Sequence, residues 1–136
     1  MTNEMFLKLK RRADLDLQFT EDNAIEMAMK IPNLYQRYLN VYIDELRDLK
    51  SLDITVDKKY GELYKYYKFE DNRAWGNKGE IDTQINSNEG YTDLKRESIQ
   101  KEFVVKYLEE VLANINRMSF SVKNFIDLQK FKAGMY

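Results

Sequence analysis

The chain has 136 residues, with 22 Lys and Arg against 23 Asp and Glu, and neither His nor Cys. Its length suits one domain, and a net charge of -1 with a pI near 5.6 excludes a globally basic DNA-binding domain. Without Cys or His there can be no disulfide or thiolate zinc site, and the commonest general base is absent.

Residues 1–30 predict N-terminal helices. Met5 to about Asp14 reads as a short one, and Thr20 as the N-cap of a second, which Ile31-Pro32 ends. A long helix follows over 32–69. Tyr35, Tyr38, Tyr42, Leu46, Leu49, Leu52, Val56, Tyr60, Leu63 and Tyr67 advance in steps of three or four, the seam of a coiled-coil-like helix. Unbroken, it would span roughly 55 Å. Its weak points are Gly61 and the β-branched run Ile54-Thr55-Val56. Residues 70–90 hold Gly76, Gly79 and Gly90 and read as a connection, with one short helical turn around Ile81 to Ile85. Trp75, alone in this polar stretch, is expected to dock into something.

A second long helix is predicted over 91–117. Leu94, Ser98, Lys101, Val105, Leu108, Leu112 and Ile115 form its stripe, widened by Val104, Tyr107 and Val111. Ser119 then suits the N-cap of a terminal helix over 119–133, and Gly134 suits its stop. Phe120, Val122, Phe125, Ile126, Leu128 and Phe131 make that helix apolar enough to need a cover, from the rest of the chain or from another copy. The expected fold class is all-α: a long antiparallel helical hairpin with short N-terminal helices and a C-terminal assembly helix, in one domain over 1–136.

Enzyme chemistry finds little support. The pairs Glu109 with Glu110 and Asp44 with Glu45 are adjacent on helices and do not face each other. There is no Gly-rich phosphate loop, so no catalytic residue, metal or cofactor is expected. No apolar run is long enough to span a membrane, and the N-terminus lacks the order of a secretory signal, which predicts a soluble cytoplasmic protein. The aromatic residues (ten Tyr, seven Phe and one Trp) are a better lead. Lys58 to Phe69 reads K-K-Y-G-E-L-Y-K-Y-Y-K-F. Single-strand binding needs cations for the phosphates and flat rings for stacked bases, and this segment supplies both. The plain alternative is that Tyr60, Leu63 and Tyr67 are the helix seam and the lysines its solvated face. Tyr64 and Tyr66 lie off or beside that seam and are the better stacking candidates.

The order of segments carries a resemblance. Ile31 to Leu34 with Tyr38, the Y-x-Y-Y of Tyr64, Tyr66 and Tyr67, a Trp-bearing loop over 72–78, Lys78 with Ile81, and V-x-Y-L-E-x-x-L from Val105 to Leu112 precede N-R-x-x-F-x-V-K-N-x-I-D-x-x-x-F-x-x-G from Asn116 to Gly134. This pattern resembles the UvsY family, the recombination mediators of T-even-like phages. The resemblance implies a non-enzymatic protein of the infected host cell's cytoplasm. It implies binding to single-stranded DNA, to the phage single-strand-binding protein and to the RecA-like recombinase UvsX, and assembly into a ring of six or seven subunits through the C-terminal helix. Lys58, Lys59, Tyr64, Lys65, Tyr66, Lys68, Arg117 and Lys123 are then the candidate DNA contacts. Phe120, Val122, Phe125, Ile126 and Phe131 are the candidate assembly residues. The family's basic positions before the Tyr-Tyr pair fall on Gly61 and Leu63 in this chain. The competing reading is a helical structural or adaptor protein without DNA affinity.

Overall fold

The structure, a computed structural model, describes residues 1–70 and 76–134; the expectation for Trp75 lies outside them. All regular structure among the described residues is helical.

Helix α1 (Asn3–Asp16) starts at Thr2, whose Oγ1 accepts the Met5 N–H at 3.2 Å. Its Phe6, Leu9 and Ala13 recur at helical spacing and turn to the core. Thr20 opens the next segment as its sequence suggests. Its N–H donates to Asn23 Oδ1 at 2.8 Å over a 3₁₀ turn, Glu21–Asn23.

Helix α2 (Ala24–Lys65) differs from the expected break at Pro32, which sits inside the helix. Proline removes one backbone donor and disfavours helix in the residue before it. Here Pro32 and Ala28, the residue whose carbonyl loses its partner, are both exposed, so water can satisfy that oxygen. Burial of Met27, Leu34 and Tyr38 on either side keeps the helix continuous. The β-branched run does not break it either: Thr55 Oγ1 donates to the Ser51 carbonyl at 3.2 Å, and Val56 is buried. Beyond α2 the backbone widens into a π-helical turn, Tyr66–Glu70.

Helix α3 (Lys78–Asn86) is longer than the single turn expected. Asn77 caps it, its Oδ1 accepting the Glu80 N–H at 2.9 Å. Helix α4 (Glu89–Lys132) corrects the expected break at Ser119, which lies mid-helix. Serine costs an interior turn little, and Met118 and Val122 around it are buried. Gly134 adopts φ +72°, and its N–H donates to the Phe131 carbonyl at 3.0 Å, a left-handed helix end.

The chain divides into two compact units: Met1–Asp44 with Val104–Tyr136, and Glu45–Phe103. The first unit buries Ala13, Met27, Leu34 and Tyr38 against Leu108, Ile115 and Val122. Tyr38 donates its hydroxyl to Asp16 at 2.8 Å, and Arg37 reaches the same carboxylate at 2.6 Å. The second unit buries Val56, Leu63, Ile81, Ile85 and Tyr91, with Tyr60, Tyr64, Tyr67 and Leu94 around them. Within this unit α2 and α4 run antiparallel, since Glu45 meets Lys101 while Tyr60 meets Tyr91. Two polar residues of the second stripe find partners here. Lys101 Nζ lies 2.8 Å from Glu45 Oε2, and Ser98 Oγ donates to Asp53 at 2.7 Å. Burial alone would lower the Lys101 pKa, but the bond to Glu45 and its charge outweigh it and the net shift is upward.

Among the described residues no helix is long and apolar enough to cross a membrane. No acidic cluster among them could hold a metal ion.

Candidate nucleic-acid interface

Six of the eight candidate DNA contacts fall together in the second unit. Lys58, Lys59, Tyr64 and Lys65 lie on the end of α2, and Tyr66 and Lys68 on the π-helical turn. Such wide turns are rare and recur at functional sites.

The rings of this region divide into an inner and an outer set. Inside, Leu63 is buried, and Tyr60 lies 6.1 Å from Tyr64 and 6.3 Å from Tyr91 between ring centroids. The Tyr60 hydroxyl donates to Asp82 Oδ1 at 2.6 Å. That hydrogen bond, with desolvation and the carboxylate's charge, pushes the phenol up to about 12. Tyr60 is thus a structural tie between α2 and α3. Tyr64, a stacking candidate, is half-buried against the same core, and Lys68 Nζ lies 5.7 Å from its ring. Tyr66, the other, is 45% exposed and meets Tyr67 edge-on at 5.2 Å.

Phe69 was not singled out from the sequence and is the most exposed ring here, at 74%. Lys68 Nζ stands 5.4 Å from its centroid. A signal was present: the seam steps from Tyr67 to position 70 or 71, which leaves Phe69 off it. Lys58, Lys65 and Lys68 are exposed. The Lys59 stem lies against the first turn of α4, where a Cβ on Gly90 would meet its Cε at 3.5 Å. None of these four lysines forms an ion pair among the described residues. The end of α2 therefore carries four lysines without an ion pair among the described residues beside open aromatic rings, with Asp57, Glu62 and Glu70 in the same stretch.

Arg117 and Lys123 belong to the first unit. Arg117 donates to Asn114 Oδ1 and lies 4.0 Å from a Glu110 oxygen, so its charge is partly engaged. Lys123 is exposed on the rim of a small groove with Pro32 and Ile126. Leu63, on a family basic position, is core, and Gly61 beside it has open space where a Cβ would stand.

The candidate assembly residues also divide. Val122 is 1% exposed within the single chain, and Ile126 packs against the same core. Phe125 is half-buried and meets Phe19 edge-on at 6.0 Å. Val122 thus has its cover within its own chain. Phe120 and Phe131 remain open, at 69% and 70%, and Leu128, left out of the candidates, is exposed with them. At about 100° per residue Phe120 and Phe131 face away from Val122 and Ile126.

A sequence profile described as recombination, repair and ssDNA binding protein UvsY matches residues 10–135. The chain belongs to the UvsY family. The match begins earlier than the motifs from Ile31 onward would suggest. Crystal structures of the bacteriophage T4 recombination mediator protein UvsY share the fold. Lattice type II gives a TM-score of 0.86 at 15% identity over 98% of each chain. Lattice type I gives 0.82 at 14% over 92% of this chain and 98% of that one. Lattice type IV gives 0.81 at 13% over 93% and 98%. No curated protein matches the chain by sequence.

Proposed function

We propose that this UvsY-family chain is a single-stranded-DNA-binding recombination mediator that acts in the cytoplasm of the infected host cell. The reading rests on the end of α2, where Lys65 and Lys68 have no carboxylate partner among the described residues and Tyr66 and Phe69 are open. The lysines meet phosphates and the rings take stacked bases, a combination that tolerates any sequence. Lys58 and Lys59 extend the positive strip, and Tyr64 backs it from the core side. Arg117 and Lys123 add a weaker contact.

Several copies assemble into a ring of six or seven through the open side of α4 at Phe120 and Phe131. A strip repeated around a ring turns weak contacts into a firm grip through effective concentration, although each subunit carries a net charge of only -1. DNA extended along the ring is held less well by the phage single-strand-binding protein. Contacts to the RecA-like recombinase, UvsX, then favour its first filament nucleus. The chain hydrolyses no nucleotide.

Salt titration of binding to a fluorescent oligonucleotide tests the reading. A mediator shows a negative slope of log affinity against log salt, about -0.7 per phosphate for a single strand. A structural adaptor shows no binding even at low salt.

A further inference from the structure

The outer side of α2 in the second unit sorts its charges. Helix positions advance by about 100° per residue, so residues eleven and eighteen apart fall on one line. Arg47, Lys58 and Lys65 stand on such a line, with Lys50, Ile54 and Gly61 within about 60° of it. The line runs opposite the buried side of the helix, where Glu45, Leu49, Val56 and Leu63 are enclosed. Arg47, Lys50, Lys58 and Lys65 are exposed and form no ion pair among the described residues. The acidic neighbours Asp44, Asp48, Asp57 and Glu62 fall to the flanks, about 60–100° from the line. Asp57 shares its direction with Lys50 but stands two turns away, about 10 Å along the axis. The row of cations is thus about 27 Å long and meets the open rings of Tyr66 and Phe69 where α2 ends.

The row itself carries no ring. Tyr60 and Tyr64, which lie within its length, pack on the core of the unit. Ile54, 59% exposed, is aliphatic and offers no flat surface to a base. Gly61 puts no side chain between Lys58 and Lys65, and nothing stands within 4 Å of where its Cβ would be, so a strand can lie close to the helix there. Lysines bind phosphate as point charges and Arg47 can hold two phosphate oxygens at once, whereas bases are held by stacking on rings.

We propose that a single strand gripped at Tyr66 and Phe69 continues along α2 to Lys50 and Arg47, held there by its phosphates alone with its bases turned away from the helix. This rests on the DNA-binding reading above and adds to it a stretch in which the bases stay free to pair. The ring end fixes the strand and the row displays it.

The test uses the full-length chain and two labelled oligonucleotides of one length, an ordinary strand and a strand whose nucleotides lack their bases. Affinity is measured across salt for wild type, Arg47→Ala with Lys50→Ala, and Lys65→Ala with Lys68→Ala. The Arg47 and Lys50 variant should make the log–log slope shallower by about 1.4 for each chain in contact, equally on both strands. Arg47→Lys with Lys50→Arg should restore the wild-type slope. Phe69→Ala should weaken binding to the ordinary strand alone. An unchanged slope for Arg47→Ala with Lys50→Ala, beside a shallower one for the Lys65 and Lys68 variant, would overturn the row and leave the ring end standing. A loss confined to the ordinary strand, or a wild type that ignores the baseless strand at low salt, would overturn the phosphate-only hold. A wild type that binds neither strand would overturn both readings.

Discussion

Lys101 Nζ stands 2.8 Å from Glu45 Oε2, with the two side chains only 14% and 11% exposed. Removing one partner from so enclosed a pair strands a charge and costs about 3–5 kcal/mol, whereas replacing both with apolar residues of similar size is near neutral. Lys101→Met should therefore lower the chemical-denaturation midpoint strongly, and Lys101→Met with Glu45→Leu should recover most of the loss. Equal destabilisation by the single and double variants would show that the pair is not the source.

Tyr60 predicts an alkaline signature. Its phenol is raised from about 10 to about 12 chiefly by donation to Asp82, so the folded state favours the protonated form. That contribution is complete below about pH 10 and is lost as pH rises towards about 12. Tyr38, Tyr42 and Tyr107 are shifted in the same direction, mainly by burial. Ultraviolet titration of the folded protein should show a late-ionising fraction of tyrosines, and Tyr60→Phe should remove one member of it. An unchanged late fraction would contradict the Asp82 bond.

Gly61 lies inside α2 with nothing within 4 Å of where a Cβ would stand. Gly61→Ala should stabilise the protein by about 0.5–1 kcal/mol, read as a higher thermal midpoint. A loss of stability would mean that the helix bends or breaks at this point.

Val122 and Phe131 should separate folding from assembly. Val122→Ala removes buried apolar surface and should cost about 1–2 kcal/mol of folding stability. Phe131→Ser removes an exposed ring and should leave monomer stability within about 0.5 kcal/mol while yielding smaller species in sedimentation. An unchanged size for Phe131→Ser would contradict its role in assembly.

Much of the fold was legible because helix seams repeat. Tyr38, Leu49, Val56 and Leu63 were on the predicted seam of the first long helix, and Leu108, Leu112 and Ile115 on that of the second; all seven are buried. The continuity of the helices was not legible. Local propensity breaks the chain at Pro32 and allows a start at Ser119, but burial of residues on either side overrides both. Ser98 and Lys101 were on that second stripe, but a single stripe could not name their partners, Asp53 and Glu45, which are 45 and 56 residues away. At the candidate site the lysines were readable as a cluster. Phe69 was missed although the seam's step past Tyr67 left it off the buried side, where it stands exposed on the π-helical turn. Val122 was grouped with the assembly residues because the terminal helix could be covered by the rest of the chain or by another copy, and α4 brings Val122 into the core of its own unit.

The central claim is that Lys65, Lys68, Tyr66 and Phe69 grip unpaired nucleic acid. Affinity for a labelled single-stranded oligonucleotide, measured across salt for wild type, Lys65→Ala with Lys68→Ala, and Phe69→Ala, tests it most directly. If each lysine meets one phosphate, the double lysine variant should make the log–log slope shallower by about 1.4. Phe69→Ala should weaken binding by about 1–3 kcal/mol at every salt concentration with the slope unchanged. Slopes and affinities identical to wild type in both variants, or a wild-type chain that ignores the oligonucleotide at low salt, would contradict the account.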